Sequence, residues 1–354
     1  MRKLNHYIAR SVSGAVIMVL LVIVSLDAIA ALVDQLGELE ANYDFTEALI
    51  YVGLTLPGRI YENIPFSALV GCLIGLGLLA SSSELVVMRA AGVSVAQITW
   101  AVMKPVLVFI LLNLALGEYV TPLTDQFAES RRAIAQGDKK ALESRHGLWN
   151  REGDEFMHFN AVLPNGRLYG VTRYRFDEEG ELRAASFART AIYQRDYWLE
   201  ENGRETLMGE GQETITTRTY NQRRWDTGLS PRLLNILVLE PDALSIRNLY
   251  SYASYLQQQG LDSKQYWLSF WKKLLQPLAT ASLVLIAVSF IFGPLREVTT
   301  GYRIFMGVIV GIVFRMSQDL LGPSSLVFGF SPLIAVLLPI GVCVVFGVLL
   351  LRRQ

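Results

Sequence analysis

Six stretches of this chain, about 12–33, 60–80, 98–120, 268–292, 304–321 and 330–351, are almost wholly apolar. A helix needs roughly 20 such residues to cross a bilayer. In hydrocarbon only helices and closed barrels satisfy their own backbone, so the pattern predicts six helical spans. Of 354 residues, 52% are hydrophobic and 18% charged, which is too apolar for an ordinary soluble domain. The first run is too long for a signal peptide and lacks a small-residue cleavage site, so it is expected to stay as a span. Formal net charge is zero, which gives no hint of nucleic acid as a partner. Cys72 and Cys343 both fall inside apolar runs, so no disulfide framework is expected.

The charges orient the spans. Arg2, Lys3 and Arg10 precede the first, whereas Asp34, Glu38, Glu40, Asp44 and Glu47 follow it with no base before Arg59. By the positive-inside rule the amino end is cytoplasmic. Counting onwards, Arg89, Lys104, Arg296, Arg303 and Arg352-Arg353 also land inside. The long polar insert 123–265 and the 322–330 turn land outside.

The insert is a different class of structure. From about 128 to 244 long apolar runs give way to short alternating stretches, such as Gly166 to Phe176 and Glu213 to Tyr220. Turn signals separate them at Pro164-Asn165-Gly166, Asp177 to Gly180 and Asn202-Gly203. This predicts a β-sandwich, a jelly roll or an open curved sheet with a thin core. A helix over about 245–259, ending at Gly260, leads to the fourth span. The fold class is thus an α+β integral membrane protein: a membrane half over 1–127, a β domain over 128–244, and a second membrane half over 245–354.

The stretch Ser81 to Ser94, between the second and third spans, is short and mildly polar. Ser81 with Glu84 reads as a capping box and Gly92 as a left-handed stop, giving a helix of about three turns on the membrane surface. It offers Glu84, Met88 and Arg89 beside Ala90 and Ala91. Such a helix can dock into a groove on a second protein and act as a mechanical handle.

No nucleotide-binding loop, serine elbow, zinc-protease motif or metal-spaced His/Cys cluster occurs. His6, His146 and His158 are scattered. A membrane-embedded enzyme therefore has no candidate chemistry in this sequence, and a non-enzymatic role is expected.

The chain resembles the LptF/LptG family of permeases, membrane subunits of an ATP-driven lipopolysaccharide exporter. The resemblance is carried by Ser83 to Gly92, Pro241 to Ser245, Gln276-Pro277-Leu278 and Ser289 to Arg296, and by the order three spans, β domain, three spans. Gly117 to Val120 and Phe292 to Arg296 look closer to the LptG branch. The resemblance implies a jelly-roll periplasmic domain, a homologous permease LptF, and a separate ATPase dimer LptB that binds ATP and magnesium. It also implies a single-span protein, LptC, and a periplasmic bridge, with no cofactor in this chain.

On that resemblance Glu84 forms a salt bridge into the ATPase groove; on the residues alone it does no more than cap. Arg89 is a partner contact or a positive-inside anchor. A phosphorylated, multi-acyl cargo calls for cations above an apolar floor. The candidates are Arg59, Arg131, Arg132, Lys272, Lys273 and Arg315, the lysines reading equally as snorkelling groups. Arg315 lies within the fifth span, four residues before Asp319. An intramembrane charge faces protein or water, so Arg315 either pairs with Asp319, meets a lipid phosphate, or bridges to a neighbouring span. Asp27 in the first span is a candidate partner for it, since the resemblance places lateral gates at the first and fifth spans. Some relatives carry lysines on the outer part of the first span. Here that region reads Asp27, Ala31, Asp34, Gly37 and Glu38. Either the cations above take over, or divalent ions bridge acid to phosphate. Another exporter permease with different cargo, or a non-transporting scaffold, are the competing readings.

Overall fold

In the computed structural model the described residues are 2–39, 43–136, 148–163, 166–177, 179–209, 215–231, 234, 241–258, 262–293 and 298–352. Glu40, His146, Pro164, Asn165, Glu213, Thr214, Gly260, Arg296 and Arg353, all singled out above, lie outside them.

Among the described residues, six helices are long and apolar enough to cross a membrane. They are α1 (Arg2–Leu36), α2 (Phe45–Ser81), α4 (Val95–Ala115) continued by a π turn and α5 (Thr121–Gln136), α7 (Lys264–Phe292), α8 (Thr300–Phe328) and α9 (Pro332–Arg352). Between them lie the short α3 (Glu84–Ala90) and α6 (Ile246–Gln258). The third span therefore runs on as helix to Gln136, past the end at about 120 expected from hydropathy. Its last turns are amphipathic, so an apolar count misses them.

By contacts the chain divides into two compact units: 1–29, 56–121 and 245–354 form one, and 30–55 with 122–244 the other. In the first, α2 and α7 are the inner spans. About two thirds of each apolar window is buried, 67% and 61%, against 17% for α1 and for α8. Glycines set how closely α2 packs. A Cβ on Gly71 would lie 2.5 Å from Val16 Cα of α1, and one on Gly75 would lie 2.9 Å from Val12 Cα. Small residues four apart let helix backbones meet in this way. The core there is aliphatic, built from residues such as Val12, Leu69, Leu76, Val102, Val284 and Ile340.

The second unit holds one six-stranded antiparallel sheet in the order β1 (Leu148–Glu152), β2 (Glu155–Leu163), β3 (Arg167–Phe176), β4 (Leu182–Gln194), β5 (Tyr197–Met208) and β6 (Ile215–Trp225). Of the three expected β forms, the described residues display the open sheet in sequence order. Asn202-Gly203 is not a turn. Both residues lie inside β5, and a side chain on Gly203 would occupy the place of the Tyr220 ring, at 2.2 Å. The β4–β5 turn is instead Arg195-Asp196, with Arg195 left-handed (φ 60). The core face holds Met157, Phe159, Leu168, Val171, Trp198 and Trp225, closed by Leu229 and Leu234. Beside Trp225 lies a buried ion network. Glu200 is 1% exposed and accepts from the Tyr220 hydroxyl at 2.9 Å. Arg173 and Arg223 approach its two oxygens at 2.9 and 2.8 Å. They also reach Glu155 and Glu205, each at 2.9 Å.

Candidate functional site

The handle forms, but not as its capping residues suggested. α3 has seven residues, two turns rather than three. Ser81 ends α2 and its hydroxyl donates to the Leu78 carbonyl at 2.9 Å, so it caps nothing. An N-cap needs a non-helical backbone, which Ser81 lacks. Ser83 takes the position instead in a left-handed conformation (φ 61) without a side-chain bond, and makes the sharp corner between α2 and α3. The capping box sits one element later. Ser94 accepts from the Gln97 N–H at 3.3 Å, while Gln97 accepts from the Ser94 N–H at 3.0 Å. Gly92 is left-handed (φ 88) and ends the helix as expected.

Around α3, Leu85 and Met88 turn into the bundle core, so Met88 anchors the helix and is not presented to a partner. The exposed face is Val86, Val87, Arg89 and Ala90, and the valines were not foreseen. Glu84 is half-buried, accepts from the Ser82 hydroxyl at 2.9 Å and stands beside Tyr7 of α1. What α3 can do is present a small apolar patch with one base, its own position fixed by two buried side chains.

Three of the six candidate cations, Arg59, Arg315 and Lys273, meet one stretch of α2. Arg59 pairs with Asp27 of α1 at 3.1 Å, which removes Asp27 as a partner for Arg315. Arg315 instead lies 3.8 Å from Glu62 of α2 and 4.0 Å from Asp319. Lys273 is only 5% exposed, with its ammonium 5.1 Å above the Tyr61 ring. It is a packing cation, not an accessible one. Lys272, half-buried, runs beside Gly322 of α8.

Tyr61 is also where three stretches of the sequence meet. The Gln276 amide donates to its carbonyl at 3.4 Å. Gly117 fits against its ring, where a Cβ would be 2.4 Å from Cε2. Glu118 follows in a π turn over Leu116–Val120 and accepts the first N–H of α6, from Ile246, at 2.8 Å. π turns recur at functional positions. Their local signal here is no more than a Gly-Glu pair in an apolar run.

The other two cations lie in the sheet-bearing unit and are already occupied. Arg131 makes a two-pronged bond to Glu47, at 2.6 and 2.9 Å. Arg132, buried, pairs with Glu38 and lies over the Tyr51 ring at 5.2 Å. The acids Asp27, Glu38 and Glu47, which looked like an obstacle to anion binding, are the partners of Arg59, Arg132 and Arg131.

Six spans, a β insert between the third and fourth, and an anchored helix between the second and third define a multi-pass membrane protein. Residues 6–353 match the family described as lipopolysaccharide export system permease LptF/LptG. The chain belongs to that family. It is 36% identical over 354 residues to the lipopolysaccharide export system permease protein LptG of Escherichia coli strain K12, covering 99% of this chain and 98% of that one. It is 37% identical over 340 residues to the LptG protein of Haemophilus influenzae, covering 95% and 94%.

Proposed function

We propose that this chain is a permease subunit of an ATP-driven exporter. It takes lipopolysaccharide from the outer leaflet of the inner membrane and passes it towards a periplasmic bridge. The full-length family match carries this reading. In it both termini are cytoplasmic, the sheet is periplasmic, and the chain works beside a homologous permease, an ATPase dimer and a single-span partner. The ATPase supplies nucleotide hydrolysis and grips α3 through Val86, Val87 and Arg89, with Glu84 at the helix start.

In this reading the cargo contacts divide by burial. Arg131 and Arg132 hold the start of the insert, and Lys273 holds α7 against α2. Arg315 is 66% exposed and its two carboxylate contacts are at the limit of ion-pair distance. A phosphate, which binds guanidinium through two parallel bonds, can replace them. Arg59 and Lys272 complete the proposed set.

Glu84→Ala and Val87→Asp in the assembled transporter test the coupling. Each should lower lipid release from vesicles at least fivefold, in the range typical of lost coupling between sites, with the chain still inserted. Unchanged release in both variants would return the chain to the scaffold reading. Mass spectrometry of lipid co-purified with the chain separates this cargo from that of another exporter.

A further inference from the structure

Arg303 is 2% exposed, although it stands in the first turn of α8, where a helix dipole disfavours a cation. Its Nη1 donates to the Gly77 carbonyl of α2 at 2.7 Å. A Cβ on Gly77 would be 3.1 Å from that nitrogen and 3.2 Å from Arg303 Cδ, so the arginine fills the space a side chain would need. The same face of α8 continues the fit. A Cβ on Gly307 would meet Leu73 Cδ1 at 2.4 Å, and one on Gly311 would meet Phe66 Cε2 at 2.3 Å. Residues four apart share a helix face. Arg303, Gly307 and Gly311 are thus one stripe, keyed to Gly77, Leu73 and Phe66.

On another face α2 is keyed to α1 through Gly71 and Gly75, and the Ser11 hydroxyl donates to the Gly75 carbonyl at 3.1 Å. Four residues after Gly77, α2 ends and the corner into α3 begins. A methionine would fill the notch at Gly77 without burying a charge, and apolar replacements of buried ions are often no less stable. What the guanidinium adds is a directed bond that fixes where the end of α2 lies against α8.

We infer that Arg303 is a positioning residue of the transport cycle: it pins α8 to the end of α2, so that a displacement of α3 reaches α8 as well as α1. This rests on the coupling role proposed for α3. The pin, Arg303 with Gly77, is separate from the cargo cations Arg59 and Arg315.

The test uses the full transporter in phosphatidylethanolamine/phosphatidylglycerol vesicles carrying lipopolysaccharide. Spin labels at Ala91→Cys, just past α3 and outside the proposed ATPase grip, and at Val313→Cys, both exposed, report the α3–α8 distance after Cys72 and Cys343 are replaced by alanine. With the pin intact the distance is narrow and does not change when a non-hydrolysable ATP analogue binds. In Arg303→Met it broadens and becomes nucleotide-dependent, and lipid released per ATP falls at least fivefold, within the usual span of coupling energies. Arg303→Lys, which keeps a donor, recovers part of both. A narrow distance and wild-type lipid per ATP in Arg303→Met overturn the inference. Should that variant fail to assemble, Gly77→Ala, which crowds the guanidinium without stranding a charge, decides on the same two readouts. A wild-type transporter that moves no lipid would count against the proposed function, while the distance measurement would still judge the pin.

Discussion

The inserted sheet and the helical bundle both pair arginines with carboxylates, and they do it in opposite ways. In the sheet, Glu200 is 1% exposed and meets Arg173, Arg223 and Tyr220 within 3 Å. Burial, followed by the Glu200 charge, pushes the Tyr220 hydroxyl well above its usual range, so it stays a donor. In the bundle, Arg315 and its partners Glu62 and Asp319 are each more than 60% exposed, at 3.8 and 4.0 Å. The first arrangement is closed, because every charge has a partner within 3 Å and its centre, Glu200 with Arg173, is buried. The second is open, because its groups can exchange partners at little cost. On the proposed reading, structural charges and charges available to a ligand differ in this closure and not in residue type.

The comparison can be broken first at Glu200. Glu200→Ala leaves two arginines facing a buried gap and should cost the sheet about 3–5 kcal/mol, read as an earlier denaturant midpoint in the fluorescence of Trp198 and Trp225. A change under about 1 kcal/mol would show the network to be as loose as a surface pair. A smaller effect comes from His158, 1% exposed, whose pKa is lowered by burial. The unfolded chain then binds a proton that the folded one refuses. The contribution is present in full above the unfolded value of 6.5 and is lost as pH falls through it. The slope is at most about 1.4 kcal/mol per pH unit, and His158→Gln should flatten it. Arg315→Ala should move stability least, by less than about 1 kcal/mol, while lowering lipid release. A large loss of stability with normal release would reverse the roles assigned to the two regions.

Much of the architecture was legible because it depends on local or one-dimensional properties. Six spans follow from run length, the insert from the change of period, and the stop at Gly92 from the residue that tolerates a left-handed backbone. The errors share a cause as well. Ser81 with Glu84 and Asn202-Gly203 both match short patterns, but the first serine was still helical and the glycine was reserved for the Tyr220 ring. The candidate site was half legible. Sequence found the cations but not their partners, since Arg131 and Glu47 are 84 residues apart in the chain. The Arg303 pin left a readable trace, an arginine and two glycines at four-residue spacing. Its mate Gly77 could not be named from that spacing.

By itself the sequence determined which stretches are long and apolar enough to cross a membrane, where the period changes to that of a sheet, and the stop at Gly92, because transfer energies and backbone preferences act residue by residue. Only the tertiary structure decided which charges are already neutralised, which glycines are notches, and which face of α3 is free. Those depend on atoms brought together from distant parts of the chain, and a carboxylate within 3 Å or a ring about 5 Å away changes what an arginine can do.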